Sequence, residues 1–164
     1  ADFGTAVHEC WEQITWLDAP LPEWVNTPQT EAQQVVAAAL QQPEVQELFT
    51  PRSRQEVYCE QSIEAITGAD EWVSGTIDRL VLTTDAAGRT IGAHIIDFKT
   101  NKLKGKEPYQ ELKKEYTGQM TAYKQLISQA FDLPAAAVKV SLLSCPKGNI
   151  PARVLPYTDE ELPI

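Results

Sequence analysis

Little in this chain of 164 residues could staple it or carry it through a membrane. It has three cysteines, Cys10, Cys59 and Cys145, at long spacings. An odd and sparse count excludes a disulfide framework and fits a reducing compartment. No CxxC pair is present, which argues against a zinc site or an iron–sulfur cluster. No apolar run approaches the roughly 20 residues of a membrane-spanning helix. The stretch ADFGTAVHEC lacks the basic start and apolar run of a secretory signal. The phosphate-cradling pattern GxxxxGK[ST] is missing, so no P-loop is built here. Neither an internal repeat nor a low-complexity segment is visible. Basic residues are also scarce: 14 Lys and Arg stand against 23 Asp and Glu, for a net charge of −9. Taken as a total, that balance argues against a nucleic-acid binder.

What is present reads as one globular domain, on an expectation of about 100–200 residues per domain. A chain of this length buries roughly 70% of its unfolded surface and needs no cross-links. The distribution of charge is more informative than its total. Residues 99–124 hold Lys99, Lys102, Lys104, Lys106, Lys113, Lys114 and Lys124, half of the fourteen basic residues. Against them stand only Glu107, Glu111 and Glu115, so the window is +4 and the remainder −13. Such a stripe is either a solvated face or a contact for phosphates.

Residues 1–50 read as mostly helical and 55–164 as a mixed-sheet core. Ala6, Val7, Cys10, Trp11, Ile14 and Leu17 recur at three and four residues, which predicts a helix over 4–17. Thr27 before Pro28 predicts a second helix reaching Leu40, and 43–48 a short third one. Residues 56–66, 72–84 and 90–99 read as strands, with Asp85 to Arg89 as a hairpin turn. A polar loop over 102–107 leads into a long helix over 108–131. A buried strand over 138–143 and an edge strand over 153–155 close the chain. A helix joining two strands in this way predicts a mixed sheet with a right-handed crossover.

Two acids fall on adjacent predicted strands: Asp78 in GTIDRL and Asp97 in IIDFKT. Asp97 follows the apolar pair Ile95-Ile96, where a carboxylate costs free energy unless it is paired or binds a metal. The strand period puts Lys99 on the same face as Asp97. A simple ion pair satisfies this pattern. So does a site in which two carboxylates hold a hard cation such as Mg²⁺ while the ammonium orients a water or stabilises the charge of a pentavalent phosphorus. Gln119 and Tyr123 share a helix face one turn apart, and Tyr123 reads equally well as a core aromatic.

Five motifs in order resemble the PD-(D/E)XK nuclease superfamily, specifically its RecB-like branch. They are Gly4-Thr5-Ala6-Val7-His8, an acid at Glu60, Gly75-Thr76-Ile77-Asp78-Arg79-Leu80, Ile96-Asp97-Phe98-Lys99-Thr100, and Gln119-Met120-Thr121-Ala122-Tyr123. The resemblance implies an α/β restriction-endonuclease-like fold, with a mixed central sheet flanked by helices and a helical N-terminal part. It implies a metal held by His8, Asp78, Asp97 and the backbone carbonyl of Phe98. Asp78, Asp97, Lys99, Gln119, Tyr123 and Glu60 would be the catalytic residues. Glu56 and Glu64 rival Glu60, because Gln61-Ser62-Ile63 replaces the proline and aromatic that often follow the family's acid. Lys102, Lys104, Lys106 and Lys113 would contact DNA. The cofactor implied is Mg²⁺, with Mn²⁺ as a substitute and no iron–sulfur cluster, since no cysteine precedes His8 and Cys145 stands alone. The nearest resemblance is to the nuclease domains of bacterial AddA and RecB-type helicase–nucleases of the UvrD/Rep helicase family. A start at Ala1 suggests a piece of such a longer chain. The implied function is cleavage of single DNA strands delivered by a motor in the same polypeptide, with a second nuclease subunit as a possible partner. Double-strand break repair in the bacterial cytoplasm would be the setting, with no membrane involved. A free-standing RecB-like exonuclease and an inactive nuclease-fold interaction module are the alternatives.

Overall fold

The computed structural model describes residues 2–66 and 70–164; Ala1 and residues 67–69 lie outside them. Helix α1 (Phe3–Glu12) opens on Asp2, whose carboxylate accepts the N–H of Thr5. The helix is shorter than the apolar periodicity predicts. Ile14 is nevertheless fully buried, because the loop after the helix packs the same stripe onto the core. Helix α2 (Glu31–Ala39) begins at Thr30 rather than Thr27. The reason is a reciprocal pair: Thr30 Oγ1 accepts from Gln33 N, and Gln33 Oε1 accepts from Thr30 N. Thr27 instead donates its hydroxyl back to Glu23 O, at the end of a short 3-10 turn. Helix α3 spans Pro43–Leu48.

Five strands follow the order β1 (Gln55–Ile66), β2 (Trp72–Thr84), β3 (Thr90–Lys99), β4 (Val138–Ser144) and β5 (Arg153–Pro156), in space as in sequence. The β1–β2, β2–β3 and β4–β5 pairs are antiparallel, and β3–β4 is parallel. Asp85 Oδ1 ties the β2–β3 turn by accepting from Ala87 N and Arg89 N, and Gly88 supplies the positive φ of 82°. The parallel pair requires a crossover, and α4 (Pro108–Phe131) provides it.

Both faces of the sheet are covered. Leu80, Leu82, Ile95, Val140 and Leu142 pack with Leu112, Met120, Leu126 and Ile127 of α4. Ile96, Phe98, Leu143 and Cys145 pack with Val7, Trp11, Val36 and Phe49 of the N-terminal helices. The continuous apolar run in β3 follows from this two-sided burial. Arg79 fastens the N-terminal layer to the sheet. It is 1% exposed, donates to the carbonyls of Ile14 and Thr15, and lies 4.1 Å over the Phe49 ring.

Two lysines of the basic stripe serve the fold. Lys124 is buried and holds Asp159 at 3.0 Å and Leu162 O at 3.1 Å. Lys113 pairs with Glu161 at 2.9 Å. Both fasten the C-terminal segment to α4. Lys113, expected to contact DNA, thus has its ammonium paired with Glu161 in this structure.

Candidate active site

The site forms where β2 leaves β3. Their ladder ends at Arg79 opposite Ile96, while β2 stays paired with β1 as far as Trp72 opposite Ile66. The resulting split opens the sheet beside Asp78, midway along β2, and Asp97, near the end of β3. Both acids are nonetheless buried, at 9% and 5% exposure. They open onto a hollow of about 300 Å³ that Lys99, Gln119 and Tyr123 also line.

Asp78 Oδ2 accepts the backbone N–H of Phe98 at 2.8 Å. It also lies 3.1 Å from His8 Nε2, while His8 Nδ1 lies 2.8 Å from Gly4 O. Both ring nitrogens face acceptors, so both donate when the ring is an imidazolium. The hydrogen bond to Asp78 accordingly raises the His8 pKa to about 9, against an opposing effect of burial. The first turn of α1 reaches this point because residue 4 is glycine: a Cβ there would meet Thr100 Oγ1 at 3.0 Å. His8 therefore stands as the partner of Asp78 and would have to lose a proton before it could ligate a metal.

Asp97 is held differently. Lys99 Nζ lies 2.8 Å from Asp97 Oδ2 and offsets its charge. Burial, then the Asp78 carboxylate, push the Asp97 carboxyl up to about 6, even with Lys99 beside it. Lys99 Nζ also donates to Gln119 Oε1 at 3.4 Å, and Gln119 Nε2 donates to Tyr123 Oη at 3.1 Å. The Tyr123 ring fits only because residue 75 is glycine, since a Cβ there would lie 2.5 Å from Tyr123 Cε1.

Glu60 lies on the other side of Asp78. It sits opposite Asp78 in the β1–β2 ladder, at a φ of 52°, between the pairs Cys59–Arg79 and Gln61–Ile77. With Glu12, it shares a second hollow that His8 and Asp78 also line. Although the residue is exposed, partial desolvation followed by the Asp78 and Glu12 charges raises its carboxyl to about 7. Glu56 accepts the Tyr58 hydroxyl at 2.6 Å, and neither it nor Glu64 lines either hollow. His8 and Asp78 thus form a wall between two hollows, with Asp97, Lys99, Gln119 and Tyr123 on one side and Glu60 on the other. Lys102, Lys104 and Lys106 are exposed on the loop after β3.

A family model described as the PD-(D/E)XK nuclease superfamily matches residues 1–162. The chain belongs to this superfamily. Its five-stranded mixed sheet between helices is the restriction-endonuclease-like arrangement of PD-(D/E)XK nucleases, as the motifs led us to expect. No protein of curated function matches the chain. Two further residues of the hollow were not among the expected catalytic residues. In the sequence Tyr116 reads either as an aromatic that stacks on single strands or as part of the apolar stripe of α4, and Asn101 has no assigned role. Both line the hollow with Lys99.

Proposed function

We propose that this chain is a divalent-metal-dependent deoxyribonuclease domain that hydrolyses phosphodiester bonds in single DNA strands. Mg²⁺ is the expected cation and Mn²⁺ its substitute. The observation that carries this reading is the pair of buried carboxylates, Asp78 and Asp97, that open onto one hollow beside the single ammonium of Lys99. Two buried carboxylates side by side are costly unless cations offset their charge. Among the described residues, no three His, Cys, Asp or Glu side chains cluster closely enough to cage an ion by themselves. Mg²⁺ is commonly held by one or two carboxylates, with waters and substrate phosphates supplying the remaining oxygens.

Asp78 and Asp97 would hold the ion, with the Phe98 carbonyl and His8 as further ligands implied by the family resemblance. When bound, it would polarise a phosphoryl oxygen and lower the pKa of an attacking water. Lys99 places a positive donor where negative charge develops on the phosphoryl oxygens as the P–O bond to the leaving group breaks. Gln119 braces Lys99, and Tyr123 braces Gln119. His8 and the Phe98 N–H hold Asp78 in place. Glu60 bounds the rear of the site. Lys102, Lys104 and Lys106 follow Lys99 directly in the chain and would hold the strand's phosphates in a salt-dependent way.

An acidic domain with one short basic loop suits a module to which the strand is delivered. This supports attachment to a helicase motor of the AddA/RecB type, with a second nuclease subunit, in bacterial cytoplasmic break repair. The test is degradation of end-labelled single-stranded DNA with Mg²⁺, Mn²⁺ or EDTA. Cutting is expected with either metal, absent in EDTA, and absent in Asp97→Ala. Wild-type cutting by Asp97→Ala would overturn the site. Absence of both cutting and calorimetric metal binding would leave an inactive interaction module.

A further inference from the structure

We propose that Tyr116, anchored by Asn101, is a positioning residue that fixes the Lys99 ammonium in the hollow; this rests on the nuclease reading above. Lys99 Nζ lies 3.7 Å from the centroid of the Tyr116 ring, well within cation–π range. The ring is not free to swing. Asn101 Nδ2 donates to Tyr116 Oη at 2.9 Å, and the Tyr116 hydroxyl returns to Asn101 Oδ1 at 3.3 Å. Asn101 lies only two residues beyond Lys99, so the loop that leaves β3 carries the clasp for the ring that faces its own last lysine.

The other contacts of the ammonium are less constant. Asp97 is the partner at 2.8 Å, and it is also the carboxylate expected to engage a cation. Gln119 is at the long distance of 3.4 Å. The Tyr116 ring neither binds a hard cation nor changes charge, so it is the contact that persists when Asp97 is engaged. Tyr116, Gln119 and Tyr123 are spaced i, i+3 and i+7 on α4, which presents all three to the hollow. The lysine stem is largely enclosed, with 15% of the side chain exposed, so the ring also limits the rotamers open to it.

The experiment compares wild type with Tyr116→Phe, Tyr116→Leu and Asn101→Ala. It reads steady-state cleavage of a labelled single-stranded oligonucleotide, melting temperature, and the NMR shift of the Lys99 Cε protons, which a facing ring moves upfield. Tyr116→Leu is expected to lower kcat about tenfold with KM unchanged and to abolish the upfield shift, in keeping with a lost cation–π contact in a partly desolvated site. Tyr116→Phe keeps the ring but loses the clasp through its hydroxyl, as Asn101→Ala does, so both should fall between wild type and Tyr116→Leu in shift and in kcat. A Tyr116→Leu variant with wild-type kcat would overturn the proposal. So would equal losses of kcat and melting temperature in the Leu and Phe variants, which would mark Tyr116 as packing only. If the wild type neither cuts DNA nor binds either metal by calorimetry, the nuclease reading fails. The proton shift then decides the contact alone: its presence in wild type and loss in Tyr116→Leu keeps the ring–lysine clasp, and its absence from wild type ends it.

Discussion

At Asp97, burial and a neighbouring carboxylate both favour the protonated form, while Lys99 favours the charged one. The first two win, and the carboxyl titrates near 6 instead of 3.8. Folding is therefore penalised once this group ionises. The penalty is absent below pH 3.8 and complete above about 6. Asp97→Asn is expected to raise the metal-free melting temperature at pH 7–8, with the gap closing below pH 4. A lower melting temperature at neutral pH would mean that the Lys99 pair outweighs the desolvation. His8 has the opposite sign. Its folded pKa is raised from 6.5 to about 9, so its stabilising pair with Asp78 is complete below pH 6.5 and is lost as pH climbs through 9. Thermal melts across that window should show wild type losing stability faster than His8→Gln. Parallel curves would show that the pair contributes nothing in solution.

Between elements, the site depends on how closely β2 approaches α4. Leu80 and Leu82 face α4 on one side of Asp78, whereas Ile77 and Val73 pack on the same core beyond it. The pleat therefore changes sides at Asp78, opposite Glu60 with its left-handed backbone. That shift puts Gly75 under Tyr123 and lets Tyr123, Gln119 and Lys99 line up in one chain of contacts. Gly75→Ala forces the ring aside. We expect a loss of about 1–3 kcal/mol of stability, as for overpacked sites, and loss of cleavage. Adding Tyr123→Leu should restore much of the melting temperature but not the cutting. Recovery of cutting in the double variant would show that Tyr123 only fills space.

The molecule as a whole is a sheet with two unlike helical covers, and different devices hold each one. On the α4 side, Lys113 and Lys124 fasten the C-terminal segment. On the other side, Arg79 does so without a carboxylate partner. Burial lowers its pKa to about 10, yet it stays charged at neutral pH between aromatic rings and backbone carbonyls. Arg79→Met keeps the volume but leaves the carbonyls of Ile14 and Thr15 unpaired. It should cost on the order of 2–4 kcal/mol. Because this layer carries His8, hydrogen exchange should rise first in α1 and α3. Uniform loosening of the whole chain would mean that the layers do not open separately.

The order and type of the elements were legible from the sequence, because periodicity, turn residues and two-sided burial are local or nearly local properties. So were Asp78, Asp97 and Lys99, since a strand's period alone places Asp97 and Lys99 on one face. The helix starts were less legible. Thr27 before Pro28 drew the expected cap, whereas the capping box of Thr30 and Gln33 sets the start of α2. Other features depended on contacts between residues far apart in the chain. Among them are the wall that His8 and Asp78 form between two hollows, the side of that wall on which Glu60 falls, the use of Lys113 and Lys124 as fasteners, and the clasp of Asn101 on Tyr116. A lysine looks the same in sequence whether it meets a phosphate, a carboxylate or a ring. Only the packing of α4 against the end of β3 determines which, because these interactions act over a few ångströms and sequence spacing does not measure that distance.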